Sequence, residues 1–285
     1  SGPSASNRNP MPSLVAGAYI MRANWPPPIT PMVVRLTRTD YRPLDDEPMT
    51  THIVTMGGGG FSMSPTGAPT NLDRYLVELT GRRSPLVCFV PTASADDPTY
   101  VRKFLTGYAS LGVRTMVLTL WQDAAASLDR LPQADLVLVG GGSTVNLLAL
   151  WRAHGVDRVL IDMMGPGRDL VLGGLSAGAA CWYQGCVTDS FGDVRVLPDG
   201  LGILQGSFCP HWDGESKRQP IFTDAIAAGL LPAGYAADDG AALHWVDAKL
   251  SGGVAEREGA RVARFSPSGE PASGGLVIEQ LPVEL

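Results

Sequence analysis

From His52 onward, short apolar runs end in Gly or Pro, and each gives way to a stretch of helical spacing. Residues 53–56 run into Gly57 to Gly60, residues 86–90 into Pro91, residues 136–139 into Gly140 to Gly142, and residues 170–172 into Gly173 and Gly174. Runs this short and this continuous, bounded by turn residues, predict strands buried on both faces. Between them Tyr100, Phe104, Tyr108 and Leu111 recur at steps of three and four, which places them on one face of a helix, and a strand over residues 115–118 follows. The alternation predicts an α/β fold of three layers, a mostly parallel sheet with helices on both faces. Ligands of such sheets bind beyond the carboxyl ends of the strands, where three of the glycine turns fall. Past Phe208 a helical stretch, residues 216–229, precedes strand-like runs at 241–246, 262–265 and 276–280, joined by Ser, Gly and Pro. These predict short antiparallel hairpin strands at a sheet edge. No internal repeat interrupts the pattern.

The first fifty residues differ: Ser, Pro and Asn dominate, with Pro26-Pro27-Pro28 and a mixed-charge segment up to Pro48. They predict a tail or linker ahead of one catalytic α/β domain over residues 51–285. Residues 14–21 are mildly apolar without a basic leader, a weak match to a signal peptide, and Met11, Met21, Met32 and Met49 are each candidate starts after an opening Ser1-Gly2 that resembles a cloning remnant.

Charge narrows the partners. Against 28 acidic residues stand 22 basic ones, a formal charge of -6, which offers nothing to a nucleic acid. No apolar run reaches the roughly 18 residues a membrane span needs. Four irregularly spaced cysteines, Cys88, Cys181, Cys186 and Cys209, make no disulfide framework and no CxxC metal pair, so the expectation is a soluble, cytoplasmic protein without a metal or other cofactor. Edge strands near the C-terminus offer a surface for a homo-oligomer without fixing a subunit count.

One motif carries chemistry. Gly174-Leu175-Ser176-Ala177-Gly178 satisfies G-x-S-x-G where an apolar strand must turn abruptly into a small-residue helix. Such a turn holds a hydroxyl above the sheet and aims the Ala177 N–H toward a developing oxyanion. In a glycine-rich chain the same pattern also serves as a plain strand-to-helix connection. A serine nucleophile needs a base, because a neutral hydroxyl attacks poorly at pH 7. Of four histidines, His52 opens the first strand at its amino end, His154 sits at a helix end, and His244 lies inside a strand-like run beside Trp245. His211, after the short run Phe208-Cys209-Pro210, is at a strand tip and is the preferred base. Asp213, Asp238 and Asp239 are the local choices for a third member; the plain readings are a helix N-cap for Asp213 and a solvated turn for Asp238-Asp239-Gly240.

Taken in order, Val139-Gly140-Gly141-Gly142-Ser143-Thr144, Gly174 to Ala179, Pro210-His211 and Asp239-Gly240 resemble the motif set of the peptidase E family, over roughly residues 51–246. The resemblance implies a flavodoxin-like fold related to class I glutamine amidotransferases, and a serine peptidase acting on small peptides without a cofactor. It implies Ser176 as nucleophile and His211, in Cys209-Pro210-His211 where the family has N-P-H, as base. Gly142 and Ala177 become oxyanion donors. The carboxylate of the family's P-E-G segment falls on Asp239, one methylene shorter, and a further acidic position falls near Asp189. Ser143 stands where the family often has Asn. Some members cleave dipeptides that begin with aspartate, and Gly214-Glu215-Ser216-Lys217 matches a segment ending in Arg there, making Lys217 and Arg218 candidate substrate contacts. Two readings compete: an α/β-hydrolase with His244 as base after Asp213 or Asp238, and a non-catalytic binding module on the same fold.

Overall fold

The computed structural model describes residues 50–268 and 275–284; the tail expected over residues 1–50, with its weak leader-like segment, lies outside them except for Thr50. Residues Glu47–Leu285 make one unit by their own contacts. The chain enters β1 (Thr51–Met56), passes two helices, α1 (Gly60–Met63) and α2 (Asn71–Leu79), and returns in β2 (Leu86–Val90). Then come α3 (Pro98–Ala109), β3 (Arg114–Val117), α4 (Ala124–Arg130), β4 (Leu136–Val139), α5 (Thr144–His154), α6 (Val156–Met163) and β5 (Leu170–Leu175). These strands pair in parallel, in the order β1-β5-β4-β2-β3.

Alternate residues of the strands feed two cores. Ile53, Val137, Val139 and Leu172 pack with Leu147, Trp151 and Leu160 of α5 and α6. Val54, Leu136, Leu138 and Val171 pack on the other side with Leu72, Leu76, Phe104 and Tyr108 of α2 and α3. Helices therefore cover both faces. α3 begins where Asp97 accepts from the Tyr100 N–H at 2.7 Å with Pro98 at the first helical position, and its fully buried Phe104 stacks on Phe89. Truncating such a phenylalanine costs about 3–5 kcal/mol.

Three expectations change. β5 does not stop before the glycines but runs through Gly173 and Gly174, because both pair with β1 on one side and β4 on the other, and Leu76 and Leu138 crowd the space a side chain on Gly173 would need. Of the runs after Phe208, residues 262–267 and 276–281 pair antiparallel at a sheet edge as expected, but residues 241–246 do not lie at one. β10 (Ala241–Val246), buried at five of its six positions, pairs antiparallel with β1 inside the large sheet, and β11 (Lys249–Ala255) and β14 (Val283–Glu284) continue beyond it. A second sheet was not foreseen. After α7 (Ala177–Ala180), β6 (Tyr183–Phe191), β7 (Asp193–Leu197) and β8 (Leu204–Cys209) form it, joined after α8 (Arg218–Ala227) by β9 (Gly234–Ala237), β12 (Val262–Pro267) and β13 (Leu276–Leu281), in the order β13-β12-β9-β8-β6-β7.

The second sheet turns one side to the large sheet and the other to α8, whose Phe222 and Ile226 pack on Val187 and Phe265. Tyr183 joins the sheets: its hydroxyl meets Thr55 Oγ1 at 2.8 Å and accepts from Trp245 Nε1 at 3.2 Å. Leaving such a buried group unpaired costs about 1–3 kcal/mol. Among the described residues no helix is long and apolar enough to cross a membrane. Layered this way, the carboxyl ends of β1, β4 and β5 from one sheet and β8 and β9 from the other arrive at one rim.

Candidate active site

Ser176 occupies the turn from β5 into α7 with φ 52° and ψ -108°, a conformation non-glycine residues rarely adopt and that costs about 1–3 kcal/mol. The surroundings over-determine it. Its N–H donates to the Met56 carbonyl at 3.1 Å, and its own carbonyl accepts from Ala179 and Ala180. A Cβ on Gly174 would collide with the Gly178 carbonyl, and one on Gly178 with the Val139 carbonyl. Both glycines of the motif are thus demanded by backbone crowding.

His211 follows β8, also in the left-handed region at φ 54°, with its N–H donating to the Gly57 carbonyl at 3.2 Å. Its Nε2 lies 2.8 Å from Ser176 Oγ and its Nδ1 lies 2.6 Å from Asp239 Oδ1. A carboxylate only accepts, so Nδ1 carries the proton and Nε2 is left to accept the serine O–H. The two side chains of the His–Asp pair are 18% and 24% exposed, reachable from solvent yet largely shielded.

Asp239 reaches although it is short. Its turn is drawn against the glycines after β1: residues 58 and 239 form a parallel bridge, and Gly240 N–H donates to the Gly58 carbonyl at 3.0 Å. Approach this close requires glycine at 58, where an added Cβ would run into Asp239 Oδ1 and the His211 ring. Sequence reasoning saw a glycine turn here without its purpose.

Over Ser176 lies a cleft of about 250 Å³, walled by Gly58, Gly59, Ser62, Met63, Tyr100, Leu175, His211 and the Gly141–Gly142 backbone. Gly142, at φ 137°, tucks so close to Ala93 that no Cβ fits. Among the described residues, the N–H groups of Gly142 and Ala177 have no protein acceptor. Ser143, next in the chain, caps α5 by accepting from the Asn146 N–H. Tyr100, expected on a core face, also extends its hydroxyl to the cleft, donating to Ser62 Oγ at 2.8 Å; burial pushes its pKa up and keeps it protonated.

Other candidates stand apart. Arg218 is buried, with its guanidinium committed to Glu215 at 2.8 Å, Asp189 at 3.4 Å and the Val187 carbonyl, so it ties α8 to β6 rather than lining the cleft. Asp189 is that arginine's partner. Lys217 is the N-cap residue of α8 and is exposed. Asp213 does not cap α8; it accepts from the Asp239 N–H and pairs with Arg257. Asp238 is buried and turned to Arg261. His154 ends α5. His244 spends both ring nitrogens on Tyr75 and His52, leaving none for Ser176.

What such an arrangement can do is activate a hydroxyl beside unoccupied amide donors, the elements of acyl transfer. Comparisons with known proteins give the family. The chain is 43% identical over 213 residues, 74% of its length and 90% of the relative's, to a Bacillus subtilis (strain 168) protein named "Uncharacterized peptidase YgaJ". In fold it is similar to the crystal structure of a peptidase from an acI-B1 Actinobacterium, with TM-score 0.58 and 16% identity over 83% of this chain and 95% of that one. A Listeria monocytogenes EGD-e protein gives TM-score 0.50 and 17% identity over 83% and 100%. The model of peptidase family S51 matches residues 53–252. The chain belongs to that family, the peptidase E family of serine peptidases.

Proposed function

We propose that the protein hydrolyses short peptides through an acyl-enzyme formed on Ser176. His211 Nε2 takes the Ser176 proton as Oγ attacks the peptide carbonyl, then passes it to the leaving amine; water, activated by the same nitrogen, releases the acyl group. Asp239 holds His211 in the required tautomer and stabilises the imidazolium. The Gly142 and Ala177 N–H groups face the oxyanion, where losing one donor typically costs about 2.7–4 kcal/mol. The observation that carries this reading is the unbroken contact from Ser176 Oγ through His211 to Asp239, at 2.8 and 2.6 Å, at the foot of an open cleft.

Substrate choice follows from the cleft walls. Among the described residues they offer Met63, Leu175, Tyr100 and Ser62, with no Lys or Arg in the lining; Lys103 gives its ammonium to the Ser62 carbonyl, and Arg218 is engaged elsewhere. A carboxylate desolvated there meets no uncommitted cation in the lining, so the favoured substrates carry an uncharged side chain at the scissile position and Asp-X dipeptides are poor ones. Four buried, free cysteines fit work in a reducing compartment such as the cytoplasm.

A fluorophosphonate probe tests the chemistry: labelling that disappears in Ser176→Ala is expected, and a folded protein that never labels supports the binding module instead. A dipeptide panel varied at the first residue tests the cleft. Asp-X cleaved faster than Leu-X or Phe-X sinks the substrate assignment and leaves the chemistry standing.

A further inference from the structure

Asp239 sits half-buried in a turn at the rim of the sheets, and a carboxylate one methylene short of glutamate tolerates little drift before it loses His211. Something must hold that turn. Pairing of β10 with β11 sets Ala255 opposite Ala241, so the chain leaving β11 runs back along the turn; Glu256 N–H donates to the Gly240 carbonyl at 2.9 Å, and Arg257 comes alongside. Arg257 Nε donates to the Asp239 carbonyl at 3.0 Å. From the opposite side, Asp213 Oδ1 accepts from the Asp239 N–H at 2.8 Å. Arg257 Nη2 and Asp213 Oδ2 then meet at 2.5 Å, closing a ring in which both backbone polar groups of Asp239 are held by a pair that also holds itself.

We propose that Asp213 and Arg257 are positioning residues that lock the Asp239 backbone at the distance from which its short side chain orients His211. The inference rests on the catalytic reading of Ser176, His211 and Asp239. Asp213 is two residues past His211 in the same loop, so one short segment carries the imidazole at one end and the lock for its carboxylate partner at the other. Base and carboxylate therefore move together. As a plain surface ion pair, with side chains 29% and 48% exposed, the two would be worth only about 0–1 kcal/mol; their placement matters more than their energy. Burial pushes the Asp213 carboxyl up, but the Asp239 amide and the Arg257 guanidinium together outweigh it and hold it below the usual range, so it stays an acceptor through neutral pH.

The test is steady-state kinetics on the full chain with a cleaved dipeptide, with melting temperatures measured in parallel. Asp213→Ala is expected to lower kcat about 10- to 100-fold, the scale of an ångström-sized misplacement, with KM unchanged. Asp213→Glu keeps two carboxylate oxygens, one for the Asp239 N–H and one for Arg257, and recovers part of that loss. Arg257→Ala behaves like Asp213→Ala, and the double variant is no worse than the poorer single one, because the ring fails as a unit. The proposal is overturned if Asp213→Ala retains wild-type kcat, if the two losses multiply, or if the drop in kcat merely tracks a lowered melting temperature and Glu does not rescue it. Ser176→Ala and His211→Ala separate the layers: if they also leave turnover intact the catalytic reading has failed, and if they abolish it only the positioning role is at stake.

Discussion

His211 and His244 hold both ring nitrogens at nearly the same distances, 2.6 and 2.8 Å for one and 2.8 and 2.9 Å for the other, yet they suit opposite tasks. Partners make the difference. His211 stands in a loop beyond a strand end, between a carboxylate that stabilises a positive ring and a hydroxyl that can give up its proton. His244 lies inside β10, between the Tyr75 hydroxyl and a second imidazole, His52. If Tyr75 donates to His244 Nδ1, then His244 Nε2 carries the hydrogen and donates to His52 Nδ1, which keeps both rings neutral. Protonating both rings would set two N–H groups against each other at 2.9 Å. Burial first, and His52 second, push His244 down to about 4. An imidazole becomes a base by what its far nitrogen touches, and a hydrogen-bonded histidine without an acid behind it is a structural one.

The widest separation is kinetic. His211→Ala is expected to lower kcat/KM by about 10² to 10⁴-fold, the usual worth of a positioned general base, whereas His244→Asn leaves it unchanged. Loss of turnover with His244→Asn and its survival with His211→Ala would reverse the comparison and revive an α/β-hydrolase order of residues. Asp239→Asn sharpens the point, since it keeps the shape and removes the charge; a loss of about 10² to 10⁴-fold is expected from the wrong tautomer and an unstabilised imidazolium. Gly58→Ala should act more mildly, about 10- to 100-fold, by wedging a methyl between the carboxylate and the ring.

These contrasts also mark where the sequence was readable. The parallel strands were plain because both their faces are buried, so residues such as 86–90 are apolar without interruption. β6 to β8 were not, because Tyr183–Phe191 mixes Gln, Gly, Thr, Asp and Ser with its apolar positions and shows no period. Strand order is a property of pairing, and nothing local in residues 241–246 distinguishes an edge hairpin from a strand wedged between β1 and β11. Ser176 stood out because backbone crowding writes glycine at 174 and 178. Gly58, Tyr100 and Arg257 carried no such mark; they come to the site only because ends of two sheets meet there. Lys217 and Arg218 looked alike on paper, but one is exposed and the other buried in an ion-pair network, a difference set by which way the first turn of α8 faces.

Acid stability probes the other half of the comparison. His244 has a folded pKa below its unfolded value near 6.5, and His52 shifts the same way through burial, with Asp169 and Asp247 pulling it partly back. Each is a base that folding keeps neutral, so the unfolded chain binds more protons between about pH 6.5 and 4. The stabilisation is complete above pH 6.5 and is lost as pH falls toward 4. Melting temperature followed across this window should fall less steeply in His244→Gln than in the wild type. Equal slopes would mean that the pair is already protonated in the folded protein.

The smallest effect belongs to Tyr75→Phe. With the phenol as donor the Tyr–His–His chain has one direction, and removing its oxygen leaves His244 Nδ1 without its partner at 2.8 Å while keeping the ring's packing. A single hydrogen bond of this kind is worth about 0.5–1.5 kcal/mol, or about 1–6 °C in the melting temperature of a domain this size. Turnover should not change, because neither Ser176 nor His211 touches this end of the sheet. A fall in kcat with Tyr75→Phe at constant melting temperature would show that the two histidine clusters communicate along β1 and β10, and the division between a working and a structural imidazole would then have to be redrawn.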